Sequence, residues 1–252
     1  MLKVGERTFL CTKFNTARTW ELHVFVEKGE YYRIETHGRR LRLAELEFAP
    51  GEHLDRSELF PRVTATFPPR LASLPLADDS FFKQSGVRQY NTSDPDSLAS
   101  STYHLKLEVA TLELLKKHPH PSICEYRGCM VEEGFTTGIV LKDYPECLSY
   151  SAGKVDHQMV LRDIGNAIQH LHSLGIIHND INPGNIMLPA DDSRAVLIDF
   201  DSAIPEGYRF NSKDRRYTAR FSLDVLEVSE RRNDLYGLER IRMWLEDPKS
   251  VE

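Results

Sequence analysis

The sequence predicts an α+β fold, and three observations support this class. Residues 20–26 alternate apolar and polar side chains, as expected for a half-buried strand. Residues 158–174 carry apolar side chains at the 3.6-residue spacing of a long amphipathic helix. Two short apolar runs that suit paired strands follow this helix, at residues 186–188 and 195–198.

The first part of the chain is expected to form a small β-rich region. Residues 27–30 contain a Lys-Gly turn, and residues 31–34 suit the returning strand of a hairpin. The proline-containing stretch at residues 49–80 predicts extended or irregular chain, because proline lacks the N–H that both helices and sheets use.

The second part is expected to mix helices with short strands. Apolar spacing predicts a helix at residues 105–117, after a polar loop at residues 91–101. A strand is predicted at residues 136–141, and a last helix at residues 234–245. Gly175 is placed to end the long helix, since glycine readily adopts the left-handed conformation found there.

Composition excludes several classes of function. The net charge of −6 disfavours nucleic acid as the main partner, because binding to phosphates needs a positive field. No run of 18 apolar residues is present, so no membrane partner is expected. The four cysteines form no Cys-x-x-Cys pair, and the first residues lack the apolar stretch of a signal peptide. We therefore expect a cytoplasmic or nuclear protein with reduced thiols that is not secreted.

One segment carries a recognisable chemical pattern. After the long helix the chain reads His-Asn-Asp-Ile-Asn-Pro-Gly-Asn from His178 to Asn185, and Asp199 ends the following apolar run. Transfer of a phosphoryl group from ATP needs one carboxylate to orient the attacking hydroxyl, and it needs oxygen ligands for Mg²⁺. Asp180, Asn185 and Asp199 supply these groups, and a helix and a hairpin bracket them so that they should face one cleft.

This pattern, together with the strand context, resembles the signature of the eukaryotic protein kinase superfamily. The stretch from residue 118 to residue 144 further resembles the compact, divergent kinase-like proteins of filamentous fungi. The resemblance implies a two-lobed kinase-like fold with a truncated C-lobe. We divide the chain into a β-rich extension at residues 1–70 and a kinase-like domain at residues 71–252. Within that domain the N-lobe covers about residues 71–144 and the C-lobe about residues 145–252.

The resemblance also implies a role for each candidate residue. ATP and Mg²⁺ are the expected cofactors, with Asp180 as the residue that orients the acceptor hydroxyl. Asn185 and Asp199 would bind the metal. Lys83 would contact the ATP phosphates and pair with Glu108 on the following helix. Glu113 lies five residues further on and leaves the register of this pair open.

The adenine base would bind to the segment that resembles a kinase hinge. Leu141 would lie at the back of the pocket, and the backbone of Lys142, Asp143 and Tyr144 would bond the adenine edge. Asp234 resembles the buried aspartate that accepts hydrogen bonds from backbone donors around His178 in this superfamily.

Several positions depart from the kinase pattern. No Gly-x-Gly-x-x-Gly and no Ala-Pro-Glu occurs in the chain. Asn179 replaces the usual arginine, Asn182 replaces the usual lysine and Asp201 replaces the usual glycine. The chain also stops soon after the helix that contains Asp234, so we expect the helices that support peptide substrates to be absent.

Three functions are consistent with these features. The first is a Ser/Thr protein kinase, which is favoured by the resemblance to the protein kinase superfamily. The second is a small-molecule phosphotransferase, because the His178–Asn185 loop also resembles that of aminoglycoside and choline phosphotransferases. The third is a pseudokinase that acts as a binding module, favoured by the missing glycine-rich loop. ATP and a hydroxyl-bearing protein or small molecule are therefore the expected partners.

Overall fold

The computed structural model describes residues 2–14, 20–37, 41–65, 69, 71–84, 97–151, 153, 155–191, 193–210, 218–223 and 227–247. The chain divides into two compact units. The first comprises Met1–Pro68, Gln84–Leu105 and Met130–Gly138, and the second comprises Pro69–Lys83, Lys106–Cys129 and Ile139–Glu252. The domain boundary near residue 70 stays a prediction.

The first unit contains an antiparallel sheet whose five strands follow one another in chain order. Lys28 and Gly29 both have positive φ, which is the conformation required by a two-residue hairpin whose twist matches its strands. The predicted hairpin is confirmed, although its returning strand runs further than residue 34. The strands are β1 (Leu2–Val4), β2 (Arg7–Phe14), β3 (Trp20–Glu27), β4 (Glu30–His37) and β5 (Glu52–Leu54).

Apolar side chains from both faces of this sheet are buried in two clusters. Leu22 and Val24 belong to one cluster and Phe25 to the other, because neighbouring residues of a strand point to opposite faces. Two short helices contribute to these clusters, α1 (Leu43–Leu46) with Leu46 and α2 (Arg56–Leu59) with Leu59. Strand β5 and helix α2 lie within residues 49–80, so the expectation of irregular chain there was wrong in part. A capping box at Asp55 starts α2 despite the nearby prolines.

The second sheet has three strands in the order β6-β8-β7. They are β6 (Ser80–Gln84), β7 (Tyr126–Glu132) and β8 (Phe135–Lys142), and helix α3 (Ser97–Lys117) connects β6 to β7. The predicted strand at residues 136–141 is confirmed within β8. Helix α3 begins eight residues before the predicted start. Of the polar loop expected at residues 91–101, residues 97–101 are helical, so the prediction was wrong there, and residues 91–96 lie outside the described part of the chain. A helix turn without an apolar stripe leaves no periodic signal in the sequence.

Helix α5 (His157–Ser173) and helix α6 (Arg231–Glu246) pack against each other in the second unit. Asp156 caps α5 by accepting hydrogen bonds from the backbone N–H groups of Gln158 and Met159. Gly175 has a φ of 74° directly after the helix, as predicted. No helix in the described ranges is long and apolar enough to cross a membrane.

Short elements between α5 and α6 form two small sheets. Strand β10 (Ile176–Ile177) pairs with β13 (Ile204–Pro205). The predicted hairpin is observed as β11 (Ile186–Leu188) and β12 (Val196–Leu197), and β11 also pairs with β9 (Glu146–Cys147). The short helix α4 (Leu148–Ser151) follows β9. The loop from His178 to Asn185 therefore begins and ends on paired strands.

Candidate active site

The loop between β10 and β11 brings Asp180 and Asn185 into direct contact. The side-chain amide of Asn185 donates to the Asp180 carboxylate Oδ2 at 3.0 Å and to the Asp180 carbonyl at 2.9 Å. A single turn of 3-10 helix at Pro183–Asn185 sets this contact. Because its nitrogen faces Asp180, the amide oxygen of Asn185 is left to face another partner.

The β11–β12 hairpin places Asp199 next to this loop. Ile186 lies opposite Leu197, and the N–H of Ile198 donates to the carbonyl of Asn185 at 2.9 Å. Asp199 is the next residue, with a φ of 63° that is uncommon for a residue with a side chain. The pairing of two short strands thus brings Asn185 and Asp199 together.

Lys83 on β6 joins the carboxylates of Glu108 and Asp199. Its ammonium lies 2.7 Å from Glu108 Oε1 and 2.7 Å from Asp199 Oδ1. All three residues belong to the second unit. The structure therefore places Glu108 beside Lys83, whereas Glu113 accepts a hydrogen bond from the hydroxyl of Tyr126 instead.

Burial and mutual charge shift the pKa values of this cluster in different directions. Burial, reinforced by the Asp199 carboxylate, raises the pKa of Glu108 to about 7 although Lys83 opposes the shift. Burial would also raise the pKa of Asp199, but the Lys83 charge and hydrogen bond outweigh it and hold that pKa below its usual value. The pKa of Lys83 is raised, because two carboxylates outweigh the cost of burying its ammonium. The Lys83 ammonium thus pairs with both carboxylates. As pH falls, the more buried Glu108 takes up a proton before Asp199 does.

Asp234, which lies on α6, fixes the start of the loop from His178 to Asn185, called here the catalytic-type loop. Its carboxylate is fully buried and accepts the N–H of His178 at 3.0 Å and the N–H of Asn179 at 2.8 Å. The ring Nε2 of His172 also lies 2.8 Å from it. The predicted role of Asp234 as a buried acceptor is confirmed.

Asn179 stands where the kinase pattern has an arginine, and its side chain forms a network of uncharged hydrogen bonds. Its side-chain amide donates to the carbonyls of Ile177 and Ser202 and to the hydroxyl of Ser229, and its oxygen accepts from Asn233. Its φ of 65° is one that asparagine tolerates better than most residues. The side chain is buried, so the loop is held by hydrogen bonds in the position where an arginine would bring a charge.

Comparisons with known proteins agree with this geometry. The sequence profile of the Lipopolysaccharide kinase (Kdo/WaaP) family matches residues 103–221, which is just under half of the chain. A solved structure of the yeast RNA Pol II CTD kinase CTDK-1 complex contains a chain that superposes with a TM-score of 0.50 at 16% identity. That superposition covers 70% of this chain and 61% of the other, and it shows a kinase-like fold. This chain is a kinase-like protein.

Curated relatives of this kinase-like chain include protein kinases from distant organisms. Serine/threonine-protein kinase/endoribonuclease IRE2 of Homo sapiens is 39% identical over 64 residues, which are 24% of this chain and 7% of the relative. Serine/threonine-protein kinase ppk6 of Schizosaccharomyces pombe is 34% identical over 105 residues, which are 38% of this chain and 13% of the relative. Probable serine/threonine-protein kinase FMP48 of Saccharomyces cerevisiae is 29% identical over 106 residues, which are 35% of this chain and 28% of the relative. The chain thus spans less than a third of the length of these relatives.

The hinge-like segment of this kinase-like chain uses two of its three backbone N–H groups internally. Leu141 is buried, the N–H of Lys142 donates to the carbonyl of Glu125 and the N–H of Asp143 donates to the carbonyl of Asp79. Among the described residues, Tyr144 is the one of the three whose N–H has no hydrogen-bond partner. The N–H of Tyr144 is therefore the donor of this segment that is left for a ligand.

The substituted positions change the charge near Asp180. Asn182 is buried, and it donates to the Asp180 carbonyl while accepting from the N–H of Gly184. It therefore shapes the turn and brings no charge to a phosphate.

No three His, Cys, Asp or Glu side chains cluster as metal ligands in the described ranges. A metal would rest on Asp199, the Asn185 amide oxygen and the substrate phosphates.

Two contacts of this site were not foreseen from the sequence. The N–H of Thr218 donates to Asp180 Oδ1 at 2.7 Å, and residues 211–217 just before it lie outside the described part. Gly237 on α6 lies so close to the loop that an added Cβ would sit 2.6 Å from the carbonyl oxygen of Ile181. The glycine within the predicted helix was the signal for this second contact; Thr218 left none.

Proposed function

We propose that this chain is an ATP- and Mg²⁺-dependent phosphotransferase of the kinase type, with a serine or threonine hydroxyl of a protein as acceptor. The observation that carries the proposal is the convergence of Asp180, Asn185, Asp199 and Lys83 within one compact unit. A purely structural role does not require these charged and polar side chains to gather in a partly exposed cluster, because burying or clustering charged groups costs free energy.

The residues present suit a magnesium ion. The pKa of Asp199 is held low, so its carboxylate is ionised at neutral pH. The Asn185 amide oxygen points away from Asp180, and both are hard oxygen donors of the type that Mg²⁺ prefers. When bound, the ion would neutralise the charge that develops on the transferred phosphoryl group.

Asp180 would orient the acceptor hydroxyl. Its Oδ2 is fixed by Asn185, while its Oδ1 accepts the N–H of Thr218. An acceptor hydroxyl would take the place of this N–H at Oδ1 and donate its proton there during transfer. Lys83, oriented by Glu108, would bind the ATP phosphates. Because Asn182 brings no cation, charge neutralisation would fall on Lys83 and the metal.

A small-molecule acceptor is the second candidate. Asn182 in place of a lysine distinguishes this loop from that of protein kinases, and the profile of a family named for lipopolysaccharide kinases matches residues 103–221. A sugar hydroxyl is therefore the alternative acceptor.

A thermal-shift titration with ATP, with and without Mg²⁺, tests nucleotide binding. We expect stabilisation that needs both ligands and that Asp199→Ala removes. Asp180→Asn should keep this stabilisation while lowering turnover by about 10²-fold or more, since it loses the carboxylate that accepts the proton. Absence of metal-dependent ATP binding would favour the binding-module function and overturn the proposal.

An acceptor screen then decides the substrate class. The wild type and Asp180→Asn are incubated with labelled ATP and either protein mixtures or sugar alcohols. Label that appears on serine or threonine with the wild type alone supports the protein kinase. Label confined to sugars supports the second candidate.

A further inference from the structure

A cavity of about 730 Å³ lies on the second unit and shares Lys142 and Tyr144 with the hinge-like segment. Its lining comes from the end of α3, the turn that follows it, the hinge-like segment and the loop between β11 and β12. None of Lys83, Glu108, Asp180, Asn185 or Asp199 lines it. We call it the basic groove and define it by Lys116, His120, Lys142, Tyr144, Pro189 and Arg194.

The charge of the basic groove differs in sign from that of the whole chain. Its lining contains three cations, Lys116, Lys142 and Arg194, in a chain whose net charge is −6. Two acidic residues, Glu125 and Asp191, also line it. Glu125 pairs with Arg127 at 3.1 Å, and the Asp191 carboxylate accepts the N–H of Ser193 at 3.2 Å. Arg127 offsets the charge of Glu125, and Asp191 keeps its charge beside Arg194, so the three cations leave the lining with a net positive charge.

The uncharged wall of the groove is rigid. Pro119 and Pro121 flank His120, whose Nδ1 accepts the N–H of Ser122 at 3.2 Å and whose ring stacks on His170. On the other side, the hydroxyl of Tyr144 accepts the N–H of Glu125 at 3.2 Å. A wall that is already ordered loses little conformational entropy when a ligand binds.

We propose that the basic groove binds an acidic peptide segment of a partner protein. Carboxylates of the segment would meet Lys116, Lys142 and Arg194, and its aliphatic or proline side chains would pack on Tyr144 and Pro189. The three cations lie on three different elements, which suits carboxylates spaced along a chain better than one compact anion. The interaction uses the side chains of Lys142 and Tyr144, whereas an adenine would bond the backbone of the hinge-like segment. It needs neither nucleotide nor phosphotransfer and goes beyond the proposed function.

Fluorescence anisotropy with the full chain and no nucleotide tests the proposal. The probe is a fluorescein-labelled peptide of Asp and Glu residues with interspersed Leu and Pro, and its control replaces Asp and Glu by Asn and Gln. We expect saturable binding of the acidic peptide alone, weakened by salt. Arg194→Glu should weaken it about tenfold, because an attractive charge becomes a repulsive one. Arg209→Glu makes the same change at an exposed arginine outside the groove and should leave binding unchanged.

Two controls separate the loss of a charge from an effect on folding. Arg194 is exposed, so the melting temperature of Arg194→Glu should equal that of the wild type. Lys116→Met is a second variant on another element and should weaken binding in the same direction. The proposal is overturned if both peptides bind equally, if Arg194→Glu and Arg209→Glu behave alike, or if no saturable binding is seen. Binding to phosphatidylserine vesicles without binding to the peptide also overturns it.

Discussion

Replacing Asp234 by alanine should destabilise the protein strongly, because this carboxylate is the shared acceptor of several buried donors. It is fully buried and accepts the backbone N–H groups of His178 and Asn179. His172 Nε2 lies at hydrogen-bond distance as a third group. Alanine offers no acceptor, so all three groups lose their partner at once.

The size of the effect follows from the cost of unsatisfied donors. Each buried donor left without a partner costs about 1–3 kcal/mol. A water molecule that enters the space left by the carboxylate would offset part of this cost. We therefore expect Asp234→Ala to lower the free energy of unfolding by about 3–5 kcal/mol. Asn179 also has a positive φ, so its conformation should relax once the hydrogen bond to its N–H is lost.

Urea unfolding followed by tryptophan fluorescence measures this loss. The chain has two tryptophans, Trp20 in the first unit and Trp244 on α6, so Trp20→Phe leaves a reporter on the helix that carries Asp234. Asp156→Ala is the matched control, because it removes an exposed helix cap and should cost only about 1 kcal/mol. A loss at Asp234 no larger than that of this control would refute the role of the buried acceptor.

Three further predictions concern pH, packing and the first unit. The raised pKa of Glu108 means that its ionisation costs stability as pH rises from about 5 to about 8, since the folded state holds the proton longer than the unfolded state. The stability of the wild type relative to Glu108→Gln should therefore decline over this range in thermal melts; a constant difference would contradict the shift. Gly237→Ala should cost about 1–3 kcal/mol by overpacking against the Ile181 carbonyl, and a melting temperature equal to the wild type would show that the loop yields freely. Arg7→Leu should destabilise the first unit by about 2–3 kcal/mol, because the guanidinium donates to two backbone carbonyls and to Glu27; urea unfolding followed by circular dichroism checks this, and no change would contradict it.

The part of the candidate site from His178 to Asp199 could be predicted from sequence because these residues lie in one short segment. The apolar run after the loop from His178 to Asn185 predicted strand β11, whereas strand β10 before the loop was not predicted. Asp234 could be assigned because an aspartate at the start of a predicted helix fits the kinase pattern, and the structure confirms its acceptor role. The roles of Lys83, Glu108 and the hinge-like residues stay predictions, although the structure shows which atoms they contact.

Other features depend on contacts that leave no local pattern. The N-terminal turns of α3 extend beyond the apolar stripe, so periodicity could not locate their start. Strand β5 and helix α2 form in a proline-containing stretch because the sheet and a capping box stabilise them. Thr218 contacts Asp180 through its backbone, and a backbone group carries no signal in side-chain identity.

By itself, the sequence determined the α+β class, the long helix and the oxygen-bearing groups of the catalytic-type loop, because periodicity and short spacings are local properties of the chain. Only the tertiary structure decided that Glu108 and not Glu113 faces Lys83, and that Lys83 also reaches Asp199. It alone showed the basic groove, whose cations come from distant segments. The physical reason is that burial, charge pairing and cavity shape arise from groups far apart in sequence, whose distances are fixed only when the elements pack.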